Sequence, residues 1–133
     1  MKYVAIVTFS LLATLSSGCS SSDTQSPSSS GTSGSSAPEA PKLNEVAKMM
    51  GALHVMWANP AVGCESIELE RKATMPDGSV HEEYAVAFTL PGAADNKHDT
   101  SATEDMDYSY RLRCKIGGAY STYSNEMTQN PTK

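Results

Sequence analysis

The sequence predicts an all-β protein folded as an antiparallel sandwich, and three observations predict it. Four short runs after Pro41 alternate apolar and polar side chains with a period of two, the spacing at which a half-buried strand turns every second residue to the core. Stretches rich in Gly, Pro, Asn and Asp separate the runs, so short strands recur at roughly ten-residue spacing, the rhythm of a sandwich. No stretch sustains a helical period with caps at its ends.

In ALHVMWA, Leu53, Val55 and Trp57 point one way and His54 and Met56 the other. SIELERKA sets Ile67 and Leu69 against Glu68, Glu70 and Lys72. MPDGS, Met75 to Ser79, follows as a turn: proline presets one dihedral and glycine accepts a left-handed one. HEEYAVAFTL is expected to put Tyr84, Val86 and Phe88 on one face. LPGAADN is a further break. YSYRLRCKI places Tyr108, Tyr110, Leu112 and Cys114 on one face and Ser109, Arg111, Arg113 and Lys115 on the other, before the break at IGGAY. The inward members of these four runs, Cys114 apart, form the expected core. Each contributes about 1.5–3 kcal/mol when fully buried, and Trp57→Ala is expected to cost about 3–5 kcal/mol.

Before this body lie two segments of different texture. Met1 and Lys2 supply one positive charge, and Tyr3 to Leu15 is mainly apolar. That run is shorter than the ~20 residues a membrane-spanning helix needs and matches the apolar region of a signal peptide. Small residues follow at Ser16, Ser17 and Gly18, and then Cys19. The segment resembles a bacterial lipoprotein signal, with Leu15 one place earlier than the family's usual leucine. The resemblance implies removal of residues 1–18 and acylation of Cys19. The family's cysteine takes a diacylglycerol thioether and becomes the new N-terminus. Several acyl chains together make a durable membrane anchor. Ser20, rather than aspartate, follows the cysteine, which for this family favours the outer over the inner membrane.

Residues 19–41 then form the acylated cysteine and a Ser-rich linker, SSSDTQSPSSSGTSGSSAPEAP after Cys19. With almost no apolar side chains it cannot offset its ordering entropy, and it is expected to be disordered. As a flexible coil it spans roughly 25–30 Å. It reads as a tether holding a folded module off a lipid surface.

The body, residues 42–131, resembles a fibronectin type III domain, the kind often found in bacterial extracellular proteins. APEAPKLNEV is similar to the family's proline-led first strand, LHVMWANP carries its tryptophan at Trp57, and IELERK resembles the third strand. The sharpest stretch, HDTSATEDMDYSYRLR, resembles the aspartate-led strand, connecting turn and tyrosine-bearing strand. Tyr108 takes the place of the tyrosine whose hydroxyl bonds back at the corner. AYSTYSNEM resembles the last strand. The usual Pro-Gly before the tyrosine strand is replaced by EDMD, and Cys114 stands where a small apolar residue is common. The resemblance implies an immunoglobulin-like antiparallel sandwich of about seven strands.

In that fold the third and sixth strands are neighbours, so Glu68 and Glu70 are expected opposite Arg111 and Arg113. Such cross-strand pairs contribute about 0.2–1 kcal/mol each. The start of the third strand also lies near the end of the sixth, where Cys64 and Cys114 stand. With Cys19 lipidated and the protein exported, a Cys64–Cys114 disulfide is expected, the alternative being two buried free thiols. If the third strand is regular, Cys64 is out of phase with Ile67, which a loop or bulge before Ile67 resolves.

Composition bounds the function. The net charge is −5 and no basic block occurs, so phosphate-driven nucleic-acid binding has no electrostatic basis. There is no Gly-x-Ser-x-Gly elbow and no phosphate-cradling loop. His54, His81 and His98 are spread out with no zinc spacing. His81 with Glu83 is a weak metal pair, and Asp95, Asp99, Asp105 and Asp107 read as turn formers before a calcium site. Tyr120 and Tyr123, near the last turn, could stack on a sugar or a partner's side chain, although at least one is expected to pack into the sandwich. The expectation is a non-catalytic envelope lipoprotein without cofactor. It contacts the membrane through its lipid anchor and presents a binding, adhesion or spacer module to an unknown protein or polysaccharide. The alternative is a structural envelope or matrix component that self-associates.

Overall fold

The computed structural model describes residues 36–103 and 105–132. The expected signal peptide, Cys19 and the linker up to residue 35 lie outside the described residues. Eight strands follow in order: β1 (Lys42–Met49), β2 (Ala52–Ala58), β3 (Ser66–Thr74), β4 (Val80–Pro91), β5 (Asn96–Asp99), β6 (Asp107–Ile116), β7 (Ala119–Tyr120) and β8 (Met127–Gln129). They form a three-stranded sheet, β1-β2-β5, and a five-stranded sheet, β4-β3-β6-β7 with β8 also on β6. Every pairing is antiparallel. The described residues contain no helix, so the chain is all-β and sandwich-like.

The core is where the alternating runs of the two sheets meet. Leu53, Val55 and Trp57 from β2 are buried with Ile67 and Leu69 from β3 and Tyr108, Tyr110 and Leu112 from β6. Leu43 of β1, Ala73 of β3 and Ala102 complete the cluster. Period-two patterning therefore names the core face of the central strands. The Trp57 indole N–H donates to Asn59 Oδ1 at 3.1 Å, and the Asn59 amide donates to the carbonyls of Gly92 and Ala94. This ties the end of β2 to the β4–β5 turn. Gly92 is required there: a Cβ would fall 1.6 Å from the Cys64 carbonyl oxygen.

Strand β4 departs from the expected pattern. Leu69 pairs with Phe88, but the next residue, Glu70, pairs with Val86. Ala87 is thus an extra residue, a bulge, and one extra residue turns everything beyond it to the opposite face. Phe88 and Leu90 pack against the core. Val86 is 45% exposed, and Tyr84 lies on the outer face beside Arg111 and Lys72. The expected grouping of Tyr84, Val86 and Phe88 on one buried face is therefore corrected. The predicted turn before β4 forms at Met75–Ser79. Met75 N–H donates to the Ser79 carbonyl, Asp77 accepts from Ser79, and Gly78 sits at φ 86°.

The strand count exceeds seven because the last strand is split. Residues 121–126 run between β7 and β8 without a strand ladder of their own.

Cys64 and Cys114 are bonded, their Cα atoms 5.5 Å apart. Cys114 pairs in register with Ile67. Cys64 reaches it from the irregular segment that precedes β3 and follows Gly63, which has a φ of 77°, so strand parity does not restrain it. The bond closes a 50-residue separation, worth about 4 kcal/mol in the chain-entropy account.

Candidate interaction face

The outer face of the five-stranded sheet is built from a short repeat. Tyr120-Ser121 recurs three residues later as Tyr123-Ser124. A period of three is that of an extended polyproline-type chain, and it keeps the two serines on one side and the two tyrosines on another. The Ser121 and Ser124 hydroxyl oxygens accept the β6 N–H groups of Cys114 and Leu112 at 2.9 and 3.0 Å. In return, the Ser121 and Ser124 N–H groups donate to the carbonyls of the same two residues. Side chains thus stand in for the missing ladder. Asn125 does the same for β1: its Oδ1 accepts the Leu43 N–H and its amide donates to the Leu43 carbonyl.

The tyrosines interleave with arginines. The Arg111 guanidinium lies 3.9 Å from the ring centres of both Tyr84 and Tyr123, and that of Arg113 lies 4.1 Å from Tyr120 and 5.3 Å from Tyr123. The face therefore reads Tyr84, Arg111, Tyr123, Arg113, Tyr120. Beneath it, Glu70 and Arg111 are register partners, as are Glu68 and Arg113. Each arginine donates through two nitrogens to one carboxylate oxygen at 2.5–2.8 Å. The other oxygens are taken by Tyr123, at 2.6 Å to Glu70, and Tyr120, at 3.0 Å to Glu68.

Burial alone would raise the Glu70 carboxyl, but the Tyr123 hydroxyl and Arg111 outweigh it and hold it below its usual range. The bond to Glu70, and then burial, pushes the Tyr123 phenol up. The expected cross-strand ion pairs are thus formed, in register. Neither Tyr120 nor Tyr123 packs into the sandwich: each is 37% exposed.

At one end of this face an open polar pocket of about 320 Å³ is lined by Lys72, Tyr84, Ser109, Glu126 and Thr128, among others. The buried Tyr84 hydroxyl faces Glu126 and Ser109 there without a well-formed hydrogen bond to either. Burial, with the Glu126 carboxylate next, pushes its pKa up to about 12. A second cavity, about 370 Å³, lies where the chain enters the body, with Pro38, Val62 and Ile116 in its wall.

Tyr108 is buried, and its hydroxyl accepts the Thr103 N–H at 3.0 Å. The four aspartates do not converge. Asp99 is fully buried and accepts from Arg71, Tyr110 and Ser101, Asp95 accepts from Asn96, and Asp107 accepts from Asn130. Burial would raise Asp99, but those donors hold it below its usual range. Among the described residues no three His, Cys, Asp or Glu side chains come together. His81 is exposed and Glu83 lies 4.0 Å from Lys72. His54 and His98, 44 positions apart in the chain, are brought side by side as register partners on the outer side of the three-stranded sheet.

Sequence reasoning placed the charges of the tyrosine–arginine face but missed its aromatic interleaving. The Tyr-Ser-x-Tyr-Ser repeat was the available signal. No protein-family model matches the chain, and no curated protein resembles it significantly. What the fold defines is a disulfide-linked, all-β, sandwich-like body with an ordered tyrosine–arginine face.

Proposed function

We propose that the chain is an exported, non-catalytic lipoprotein in which one fibronectin type III domain serves as a binding, adhesion or spacer module. The anchor rests on the apolar run ending at Leu15, the small residues after it, and Cys19. With Ser20 next, the outer membrane is the favoured location. The domain type is supported by the Tyr108–Thr103 bond at the corner before β6 and by the placing of β4 on β3. Immunoglobulin constant domains instead put their fourth strand in the other sheet.

The observation that carries a binding role is the tyrosine–arginine face. Tyr and Arg are enriched in protein interfaces and dominate binding energy there. Here bonds to Glu68 and Glu70 already hold them in place, so little side-chain entropy is lost on contact. The ligand is a protein or a polysaccharide. A self-associating structural role is the alternative, through the edge of β4 that is left unpaired among the described residues. That edge carries Glu82, Glu83 and several register shifts, features that discourage edge pairing.

The test is capture from envelope extract and on a glycan array, comparing the natural chain with Val86→Lys, a change at an exposed position beside the tyrosines. A partner lost by Val86→Lys supports the face. No partner from either source leaves only the spacer role.

A further inference from the structure

We propose that the outer face of the three-stranded sheet holds a late first-row divalent cation, Zn(II) or Cu(II), through the imidazoles of His54 and His98. The inference is independent of the tyrosine–arginine face, which lies on the other sheet. Antiparallel register sets the two histidines directly opposite one another, on β2 and β5. Their ring centres are 6.0 Å apart and the rings are tilted by 55°. A cation bound about 2 Å from a nitrogen of each ring puts the centres roughly 5–6 Å apart, depending on the angle at the metal. The observed spacing falls within that span.

A third donor is already aimed at the pair. Asn96, two residues before His98 and on the same face, gives its amide N–H to Asp95 at 2.6 Å. This turns its Oδ1 toward His54, 3.4 Å from Nε2. Two donors held about 2.1 Å from a tetrahedral cation stand about 3.4 Å apart, so the existing gap accepts the ion with little movement. The His98 Nε2 lies 3.3 Å from the Met49 carbonyl, a length near the limit of a useful hydrogen bond, so binding the ion through this nitrogen requires the ring to turn from that carbonyl. Met56 and Glu45, register partners of Asn96 and of each other, lie one row along. They lie on the same face but do not close on the two histidines, since no three His, Cys, Asp or Glu side chains converge among the described residues. Imidazole, amide oxygen and water together suit Zn(II) and Cu(II) better than calcium or magnesium, which take oxygen donors.

The experiment is a calorimetric titration of the full chain in detergent with Zn(II) alone, repeated with Cu(II) and read by electron paramagnetic resonance. The variants are His54→Gln, His98→Gln and, as a control on the remaining histidine, His81→Gln. Both site histidines are only half-buried, and thermal melts without metal verify that the variants fold. The expected result is one equivalent of Zn(II) bound, affinity lowered at least about tenfold by either site variant, and no change with His81→Gln. The Cu(II) spectrum should show coupling to imidazole nitrogen that His98→Gln reduces. Absence of binding, or binding that survives both His54→Gln and His98→Gln, overturns the proposal.

Discussion

The Tyr110 hydroxyl donates to the Asp99 carboxylate at 2.8 Å, joining β6 of one sheet to the end of β5 in the other. Arg71 of β3 donates to the same oxygen, also at 2.8 Å, and Ser101 fills the second oxygen through its N–H and its hydroxyl. A charged group buried in a sheet-to-sheet seam is tolerable only when its bonds are complete, and these are. The Asp99 charge burdens its neighbour: burial first, then the carboxylate, pushes the Tyr110 phenol far up.

Asp99→Ala therefore leaves the Tyr110 hydroxyl and the Arg71 guanidinium without their acceptor. Breaking a buried pair from one side costs about 3–5 kcal/mol, and urea unfolding of the variant should show a loss of that size. The pH dependence follows from the same site. The Asp99 carboxyl titrates below its ordinary 3.8 in the folded chain, so the unfolded chain binds protons first as pH falls. Its contribution is complete above about pH 4 and is lost as pH falls through the folded value. Asp99→Asn should be less stable at neutral pH and lose less on acidification than the natural chain.

Arg111 is the central member of the tyrosine–arginine face. Removing it takes the nearest cation from two rings, leaving Lys72 at 5.9 Å from Tyr84 and Arg113 at 5.3 Å from Tyr123, and leaves Glu70, only 5% exposed, with the Tyr123 hydroxyl as its side-chain donor. Arg111→Ala is expected to cost about 2–4 kcal/mol. Arg111→Lys should recover little, since an ammonium neither forks onto the carboxylate nor stacks as a plane. By contrast, breaking the exposed Lys72–Glu83 pair, 4.0 Å apart, should cost under about 0.5 kcal/mol. Hydrogen exchange should quicken at Ser121 and Ser124 in Arg111→Ala.

The bulge at Ala87 makes an opposing pair of predictions for residues two apart. Phe88→Ala should destabilise by about 2–4 kcal/mol, because the ring packs on the core. Val86→Ala should stay within about 0.5 kcal/mol, because the side chain faces water. Equal losses at both positions would mean that β4 runs without the bulge.

Met50 offers a gain. The β1–β2 loop is the pair Met50-Gly51, with φ of 52° and 73°. A two-residue hairpin loop with both residues left-handed prefers Asn-Gly, and Met50 is 96% exposed with no packing to lose. Met50→Asn should raise stability by about 0.5–1 kcal/mol, read from the shift of the thermal midpoint.

The central strands were legible because each obeys one period along its whole length. β2 and β6 alternate without interruption on their core faces, β3 does so except at Arg71, which takes a core-face place to meet Asp99, and the spacing of Glu68 and Glu70 against Arg111 and Arg113 follows from their register. β4 was misread at Tyr84 and Val86 because a bulge has no composition of its own: Ala87 looks like any strand residue. The Cys64 parity conflict signalled an irregular lead into β3, which Gly63 supplies. The tyrosine–arginine face was half legible. Its charges follow strand alternation, whereas Tyr120 and Tyr123 follow a period of three that strand patterning does not seek. The meeting of His54 with His98 depends on the β2–β5 register across 44 positions, and no local pattern encodes it.

The most direct test of a tethered, disulfide-closed module is the intact mass of the protein extracted from membranes. The account predicts a chain beginning at an acylated Cys19 and lighter by two hydrogens than its reduced form, with the bond mapped to Cys64 and Cys114. A chain that retains residues 1–18 or carries an unmodified Cys19 contradicts it, as would Cys64 and Cys114 recovered as free thiols.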